Sequence, residues 1–447
     1  MTVGVHSKQM GTYCIETYGC QMNLADSELI SGILEKKGWV RAQSVQDADL
    51  IVINTCTVRQ RAAERAIGHV RSLGSLKAAR PGLRIALVGC LAQHLGPDLR
   101  DRLPEVDLFA GPDAYRSLPA LLERSGVDGK CALRRDRSET YDGLPVIRRK
   151  GANAWVSIMR GCDRACTYCA VPLARGRERS LPVESIRRDI EKVISEGFTA
   201  VTLLGQSVTS YRDGDRDFAW LIEHLGELGG LGKLRFLSPH PADFTPRLLE
   251  ALRHCPVATR HIHLPLQSGS NRILDMMRRG YTREQYIELI EHARVTLPGV
   301  GITTDLMVGF PGETQEDFRQ TIGVMETVRF DSAFMFAYSA RERTYAARFL
   351  DDDVPAHEKR RRLEEVIALQ ESHSLQRFSA CVGSTLEVLV EGPAKGSGGL
   401  LFGRGDDFKN TVFQPLPGRK LSVGQIVSVE ITAATSHTLK GQQRQCP

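Results

Sequence analysis

Apolar and polar positions along the first quarter of the chain alternate between two periods. "TYCIETYGC", "ADLIVINTC", "LRIALVGC" and "VDLFAGP" are short apolar runs, and between them stand amphipathic stretches such as "ADSELISGILEKKG" and "QRAAERAIGHVRSL". Buried runs alternating with 3.6-period stretches predict an α/β domain, a doubly wound parallel sheet with helices on both faces, over 12–127. The segment 128–147 has weak periodicity and several turn residues, and reads as a linker. Over 148–378 the alternation resumes. "AWVSIM", "AVTLLG", "LRFLS", "HIHLPL", "GITTDLMVGF" and "SAFMFAYS" are six strand candidates with helical stretches between them, for example at 183–196 and 282–296. Six strand–helix units predict a partial (β/α)6 barrel with a side gap. After a long helical stretch, 379–442 breaks into short strands punctuated by glycine and proline: "TLEVLVEG", "LLFGRG", "NTVFQPL" and "QIVSVEITAA". That pattern predicts a small β-barrel of a kind that binds nucleic acid.

With 447 residues, 42% hydrophobic and 25% charged, the chain is an ordinary globular multi-domain protein. A formal charge of +6 is compatible with a nucleic-acid partner without requiring one. The start "MTVGVHSKQMG" lacks the apolar core of a signal peptide, and no run reaches the ~18 apolar residues of a membrane span. A cytosolic protein is expected, in which eleven cysteines are not a disulfide framework.

Six of those cysteines form two patterns. Cys162, Cys166 and Cys169 crowd into "CDRACTYC" just after the first barrel strand, at the strand end where barrel enzymes build active sites. A 4Fe–4S cluster takes cysteine thiolates, and three of them leave one iron open for chemistry. Spacing alone leaves structural zinc open, although the second C-x2-C pair usual for zinc is missing. The second pattern is dispersed. Cys20, Cys56 and Cys90 each close a predicted strand, in "IETYGC", "IVINTC" and "IALVGC". Ligand sites in open α/β sheets lie beyond the carboxyl ends of strands, so these three thiols are expected to converge on a metal. A single such cysteine would read as a small buried hydrophobe. Cys14, Cys131, Cys255, Cys381 and Cys446 follow no pattern and read as incidental.

"YGCQMN", "INTCTVR", "VGCLAQ", "SIMRGCDRACTYCAVPLARGRERS", "LLGQSVTSY", "HLPLQSGSNRIL" and "DLMVGFPGETQEDF" together resemble the radical S-adenosylmethionine methylthiotransferases. "GCQMN" is most like the tRNA (MiaB) branch, rather than the ribosomal-protein or threonylcarbamoyladenosine branches. An iron–sulfur-binding RNA chaperone is the alternative from a different class. The resemblance implies two 4Fe–4S clusters, on Cys20, Cys56 and Cys90 and on Cys162, Cys166 and Cys169. It implies S-adenosylmethionine on the open iron of the second, cleaved to a 5′-deoxyadenosyl radical. The expected reaction converts isopentenyladenosine 3′ of the anticodon to its 2-methylthio derivative, using two S-adenosylmethionine molecules. Implied partners are a tRNA anticodon stem–loop, held by a TRAM-like barrel, and an external one-electron reductant such as flavodoxin or ferredoxin. The protein would act as a monomer. By the same resemblance Tyr168, Gly205, Gln206, Gln267, Ser268 and Gly309 line the cofactor pocket. Two departures stand out. Ser207 and Thr209 occupy positions where the family commonly has Asn, and "YSARERTYAARF" lacks the usual Pro-Gly turn after the sixth strand. Basic groups at 148–150, 175–180, 278–279 and 359–362 are candidate phosphate contacts. His261 and His263 share a strand face and read as packing residues.

Overall fold

The residues "LIVINT" form a strand buried at every position because helices cover both of its faces. The computed structural model describes residues 10–124, 131–396 and 398–445. The expectations drawn from the first nine residues, from the start of the 128–147 segment and for Cys446 fall outside the described residues. The chain divides into two compact units, Met1–Arg149 with Met159–Arg164 and Cys169–Leu181, and the remainder.

In the first unit the strands are β1 (Gly11–Tyr18), β2 (Trp39–Arg41), β3 (Leu50–Thr55), β4 (Arg84–Gly89), β5 (Leu108–Ala110) and β6 (Cys131–Ala132). Its helices are α1 (Gln21–Lys36), α2 (Gln60–Ser72), α3 (Gly74–Ala79), α4 (Cys90–Arg100) and α5 (Leu118–Glu123). The sheet is parallel, in the order β2-β1-β3-β4-β5-β6. Alternate side chains of each strand enter opposite cores. Leu50 and Val52 pack with Leu29, Ile30 and Leu34 of α1, while Ile51 and Ile53 pack with Val70 of α2 and Leu91 of α4. Strand order reverses between β1 and β3, the switch point at which such sheets bind ligands. Strand β2 is too short to show in the hydrophobic pattern. The 128–147 segment does more than connect. It supplies β6, and Tyr141, Leu144 and Val146 pack on the α1 side of the sheet.

The chain then forms β7 (Asn153–Ser157) of the second unit. It returns to the first for β8 (Met159–Arg160), α6 (Val171–Arg175) and β9 (Arg179–Ser180), with β8 and β9 paired antiparallel. The rest belongs to the second unit. It continues with α7 (Val183–Ser195), β10 (Ala200–Leu204), a hairpin of β11 (Arg212–Asp213) and β12 (Arg216–Asp217), α8 (Phe218–Gly226), β13 (Lys233–Phe236) and α9 (Pro246–His254). Next come β14 (His261–His263), α10 (Asn271–Met276), α11 (Arg283–Thr296), β15 (Gly301–Val308), α12 (Gln315–Val328), β16 (Ser332–Ala337), α13 (Tyr345–Phe349) and α14 (Ala356–Ser379). All six expected barrel strands are present, in two parallel ladders, β13-β10-β7 and β14-β15-β16, linked by one bridge between Leu234 and Ala258. Strands β7 and β16 have one neighbour each, so the barrel is partial.

A closed five-stranded barrel follows: β17 (Thr385–Pro393), β18 (Leu401–Arg404), β19 (Asn410–Gln414), β20 (Ile426–Ala434) and β21 (Leu439–Gln443). The sequence pattern predicts four of these strands. "LKGQQ" is polar and escaped it, because this strand buries only its ends. The loop before β19 docks on the partial barrel. Phe408 stacks on His261 with centroids 4.7 Å apart and carries the Arg235 guanidinium at 5.0 Å. Lys409 pairs with buried Asp331 at 2.8 Å.

Candidate metal and cofactor centres

Cys20, Cys56 and Cys90 stand at the carboxyl ends of β1, β3 and β4, which are adjacent in the sheet. Two glycines let the backbone close around them. A Cβ on Gly19 would lie 2.7 Å from that of Cys56. Gly89, at φ +94°, has room for none, with Asn54 Oδ1 only 2.5 Å from where it would stand. Buried Asn54 ties the strand ends to α1, donating to the Asn23 carbonyl at 2.8 Å and to Ser27 Oγ at 2.9 Å.

The thiols are not independent. A hydrogen bond with Cys56 pulls the Cys20 thiol down to about 6, with help from the Arg175 charge, and the same bond together with burial pushes Cys56 up. Burial also raises Cys90, against the pull of Arg175, whose Nε donates to Cys90 Sγ at 3.1 Å. Arg175 is itself buried and paired with Asp26 at 2.6 Å, and Arg160 holds the other Asp26 oxygen at 2.7 Å. Burial works against the Asp26 charge, but the two guanidiniums outweigh it and hold the carboxyl below its usual range. The site is therefore a nest of thiols with one internal cation, neutralised in turn by a sealed carboxylate. Thiolate is the ligating form of cysteine, so the donor chemistry fits an iron–sulfur group. Among the described residues, no three His, Cys, Asp or Glu side chains are grouped as ligands of a single metal ion.

Residues 162–169 are divided between the units. In the first unit, Cys162 N donates to Gly176 O at 3.1 Å and Val171 N donates to Cys169 Sγ at 3.4 Å. In the second, buried Arg279 donates to Cys166 Sγ at 3.2 Å and to Pro265 O at 3.1 Å. Tyr168 sets its ring edge-on to Phe310, centroids 6.5 Å apart. Gly205 and Gln206 follow β10. Gln206 Oε1 and the neighbouring Ser207 Oγ are buried without a hydrogen-bond partner among the described residues, an arrangement that fits a polar ligand. Gln267 has a φ of +70° and binds β15 on both sides, N to Asp305 O and O to Met307 N, each at 2.8 Å. Ser268 is fully buried, and its hydroxyl accepts from Ser270 N at 3.2 Å ahead of α10, so that side chain is engaged within the fold. Gly309 N donates to Glu313 Oε2 at 2.8 Å, and Arg362 holds the other oxygen at 2.9 Å.

Four of the basic groups named as candidate phosphate contacts are engaged within the fold: Arg175 and Arg179 pair with the buried carboxylates of Asp26 and Asp113, Lys359 with Asp352 and Arg362 with Glu313. Arg177 pairs with Asp163, and Arg361 with Glu358 and Glu365, at the surface. Arg149, Lys150, Arg177, Arg278, Arg360 and Arg361 are exposed. His261 is a packing residue, accepting or donating at Thr303 Oγ1 over 2.9 Å. Sequence reasoning missed Asp26, Arg160 and the inward role of Arg175. "SELI" gives no sign that its preceding aspartate is buried, and only the ion-pair partners, distant in the chain, reveal it.

Residues 156–325 match the model of the radical SAM superfamily, 12–111 that of uncharacterized protein family UPF0004, and 379–443 that of the TRAM domain. The chain is 41% identical over 432 residues to a tRNA-2-methylthio-N(6)-dimethylallyladenosine synthase of Prosthecochloris aestuarii, covering 96% of this chain and 97% of that one. It is 42% identical over 438 residues to one of Bacteroides fragilis, covering 96% and 95%. It is 41% identical over 470 residues to a mitochondrial tRNA methylthiotransferase of Mus musculus, covering 96% and 80%. Among solved structures, the fold is similar to that of the radical S-adenosylmethionine methyltransferase TsrM of Kitasatospora setae, with a TM-score of 0.56 and 12% identity, over 75% of this chain and 74% of that one. The described helices include none long and apolar enough to cross a membrane.

Proposed function

The chain belongs to the family of tRNA-2-methylthio-N(6)-dimethylallyladenosine synthases, and we propose that it converts isopentenyladenosine 3′ of the anticodon in tRNA to the 2-methylthio derivative. It is a radical S-adenosylmethionine enzyme, a class defined by a 4Fe–4S cluster and S-adenosylmethionine. Cys162, Cys166 and Cys169 would hold that cluster, and Cys20, Cys56 and Cys90 a second. Bound at the first trio, the cluster and S-adenosylmethionine would supply the radical that opens an unactivated C–H bond, which side-chain acid–base chemistry cannot do.

The chain's own residues prepare for this. Arg279 places a fixed cation against Cys166, donating to its Sγ. Gln206 offers to an ammonium an oxygen without a partner among the described residues, and Gly205 precedes it at the end of β10. Gln267, Ser268, Gly309 and the ring of Tyr168 would line the rest of the pocket. At the other centre, Arg175 offsets thiolate charge while Asp26 keeps that guanidinium in place. An external one-electron reductant of the flavodoxin or ferredoxin type, action as a monomer and a cytosolic location complete the proposal.

The observation that carries it is the meeting of Cys20, Cys56 and Cys90 at three adjacent strand ends with one buried arginine among them. Anaerobic reconstitution of the full chain should give about eight iron and eight sulfide per chain. Replacing all three of these cysteines with alanine should halve both, abolish 2-methylthio product in nucleoside mass spectra and leave S-adenosylmethionine cleavage. About four iron in the unaltered chain would overturn the second cluster, and no S-adenosylmethionine cleavage would overturn the reaction.

A further inference from the structure

We propose that Tyr345, Phe349 and Arg278 form a stacking platform for an unpaired RNA base, a neighbour of the base that reacts. The proposal rests on the tRNA reading above and adds a subsite to it. Its location is the segment "YSARERTYAARF", where the family's Pro-Gly turn is missing. Arg343 takes a φ of +64° there, and Thr344 starts α13 by accepting from Ala347 N at 3.3 Å. The short helix is two-faced. Ala346 is fully buried against Ile273, Met277, Phe310 and Tyr338, and its N–H donates at 2.8 Å to the carbonyl of Thr167, the residue after Cys166. The outward face carries Tyr345, 43% exposed, and Phe349, 63% exposed. Their ring centroids are 4.9 Å apart.

Arg278 lays its guanidinium 4.2 Å from the Tyr345 ring centroid, and Arg348 lies 5.5 Å from that of Phe349. Both arginines are exposed. Arg278 holds a left-handed φ of +55°, which turns it away from its neighbour Arg279, the buried donor to Cys166. Two large rings in solvent are a cost that a five-residue helix has no structural need to bear, since any polar pair would satisfy the exposed face. Exposed rings interleaved with guanidiniums are the surface on which single-stranded bases stack while the cations take the phosphates. An apolar protein partner would find cations around the rings instead of an apolar rim. The hydrogen bond from Ala346 to Thr167 sets this platform one residue from the cysteine that Arg279 holds, so a base stacked there adjoins the reaction centre.

The test uses the reconstituted full chain and an anticodon stem–loop RNA carrying isopentenyladenosine, with 2-aminopurine at each loop position flanking it in turn. The unaltered protein should quench the probe at one flanking position. Tyr345→Ala and Phe349→Ala should remove that quenching and weaken binding by about 5- to 100-fold, at an unchanged salt slope. Phe349→Trp should restore both. Arg278→Ala should weaken binding and lower the salt slope by about one. Equal affinity and equal quenching in both alanine variants, the result a protein occupant of this face would give, overturns the platform and leaves the tRNA reading standing. A stem–loop that the unaltered chain does not bind at all overturns both.

Discussion

Asp26 lies on α1 six residues after Cys20, sealed from solvent, and its charge is neutralised by Arg160 and Arg175. Removing one member of a buried ion network leaves the others uncompensated. Asp26→Asn should therefore destabilise the first unit by about 3–5 kcal/mol, read as a lower urea midpoint at unchanged slope. His261 makes the opposite statement about charge. Burial, with His263 and Arg235 adding to it and Asp331 opposing, drops its ring from 6.5 to about 3, so the folded chain keeps it neutral. The unfolded chain takes up a proton below about pH 6.5 that the folded chain refuses until about pH 3. Stability must fall as pH falls through that window, by at most ~1.4 kcal/mol per pH unit for one proton. His261→Phe should flatten that part of the stability–pH curve, measured by denaturant unfolding at successive pH values. Lys409 lies within the same cluster, so its pairing with Asp331 should be kept intact in that variant.

At the scale of elements, the strand ends matter more than the strands. The apolar runs were legible because both faces of a parallel sheet are covered, and the three cysteines were legible because each closes such a run. Backbone conformation at those ends was not. Gly89 at φ +94° begins α4 with Asn54 against it, and no residue type in "IALVGC" says that the glycine is obligatory. Gly89→Ala should cost about 1–3 kcal/mol of strain and shift Cys90. Reconstituted iron should then drop from about eight to about four per chain while S-adenosylmethionine cleavage persists. The polar β21 and the three-residue β2 escaped for a different reason. An edge or barrel strand that buries few side chains has no period to read. The basic run at 359–362 shows the same limit from the polar side. Its charges look solvated in sequence, yet Lys359 and Arg362 are buried because acidic partners meet them from other elements.

On the scale of the molecule, the residues matching the TRAM domain share one compact unit with those matching the radical SAM superfamily, apart from 159–164 and 169–181. Beside a small apolar cluster of Ala152, Ala200, Leu389 and Ile426, ionic and aromatic contacts join them. Lys409 reaches Asp331, Lys233 reaches Asp406 at 2.6 Å, and Phe408 lies on His261. Burial disfavours the Lys409 charge, but Asp331 and Asp407 outweigh it and raise its pKa. Asp331 is held low mainly by Lys409, against its own burial, with Arg377 at 3.3 Å as its other cation. The two should still unfold together, because buried Asp331 on one side and Lys409 on the other share a charge pair across the seam. Calorimetry of the apo chain should show the partial barrel and the C-terminal barrel melting in a single transition. Lys409→Met keeps the length of the side chain and removes its charge, leaving Asp331 with Arg377 alone. The expected loss is about 3–5 kcal/mol, with the C-terminal barrel separating as an earlier, smaller transition and cleavage by protease appearing between α14 and β17. A single transition at an unshifted temperature in that variant would mean that Phe408 and the remaining ion pairs carry the seam without Lys409.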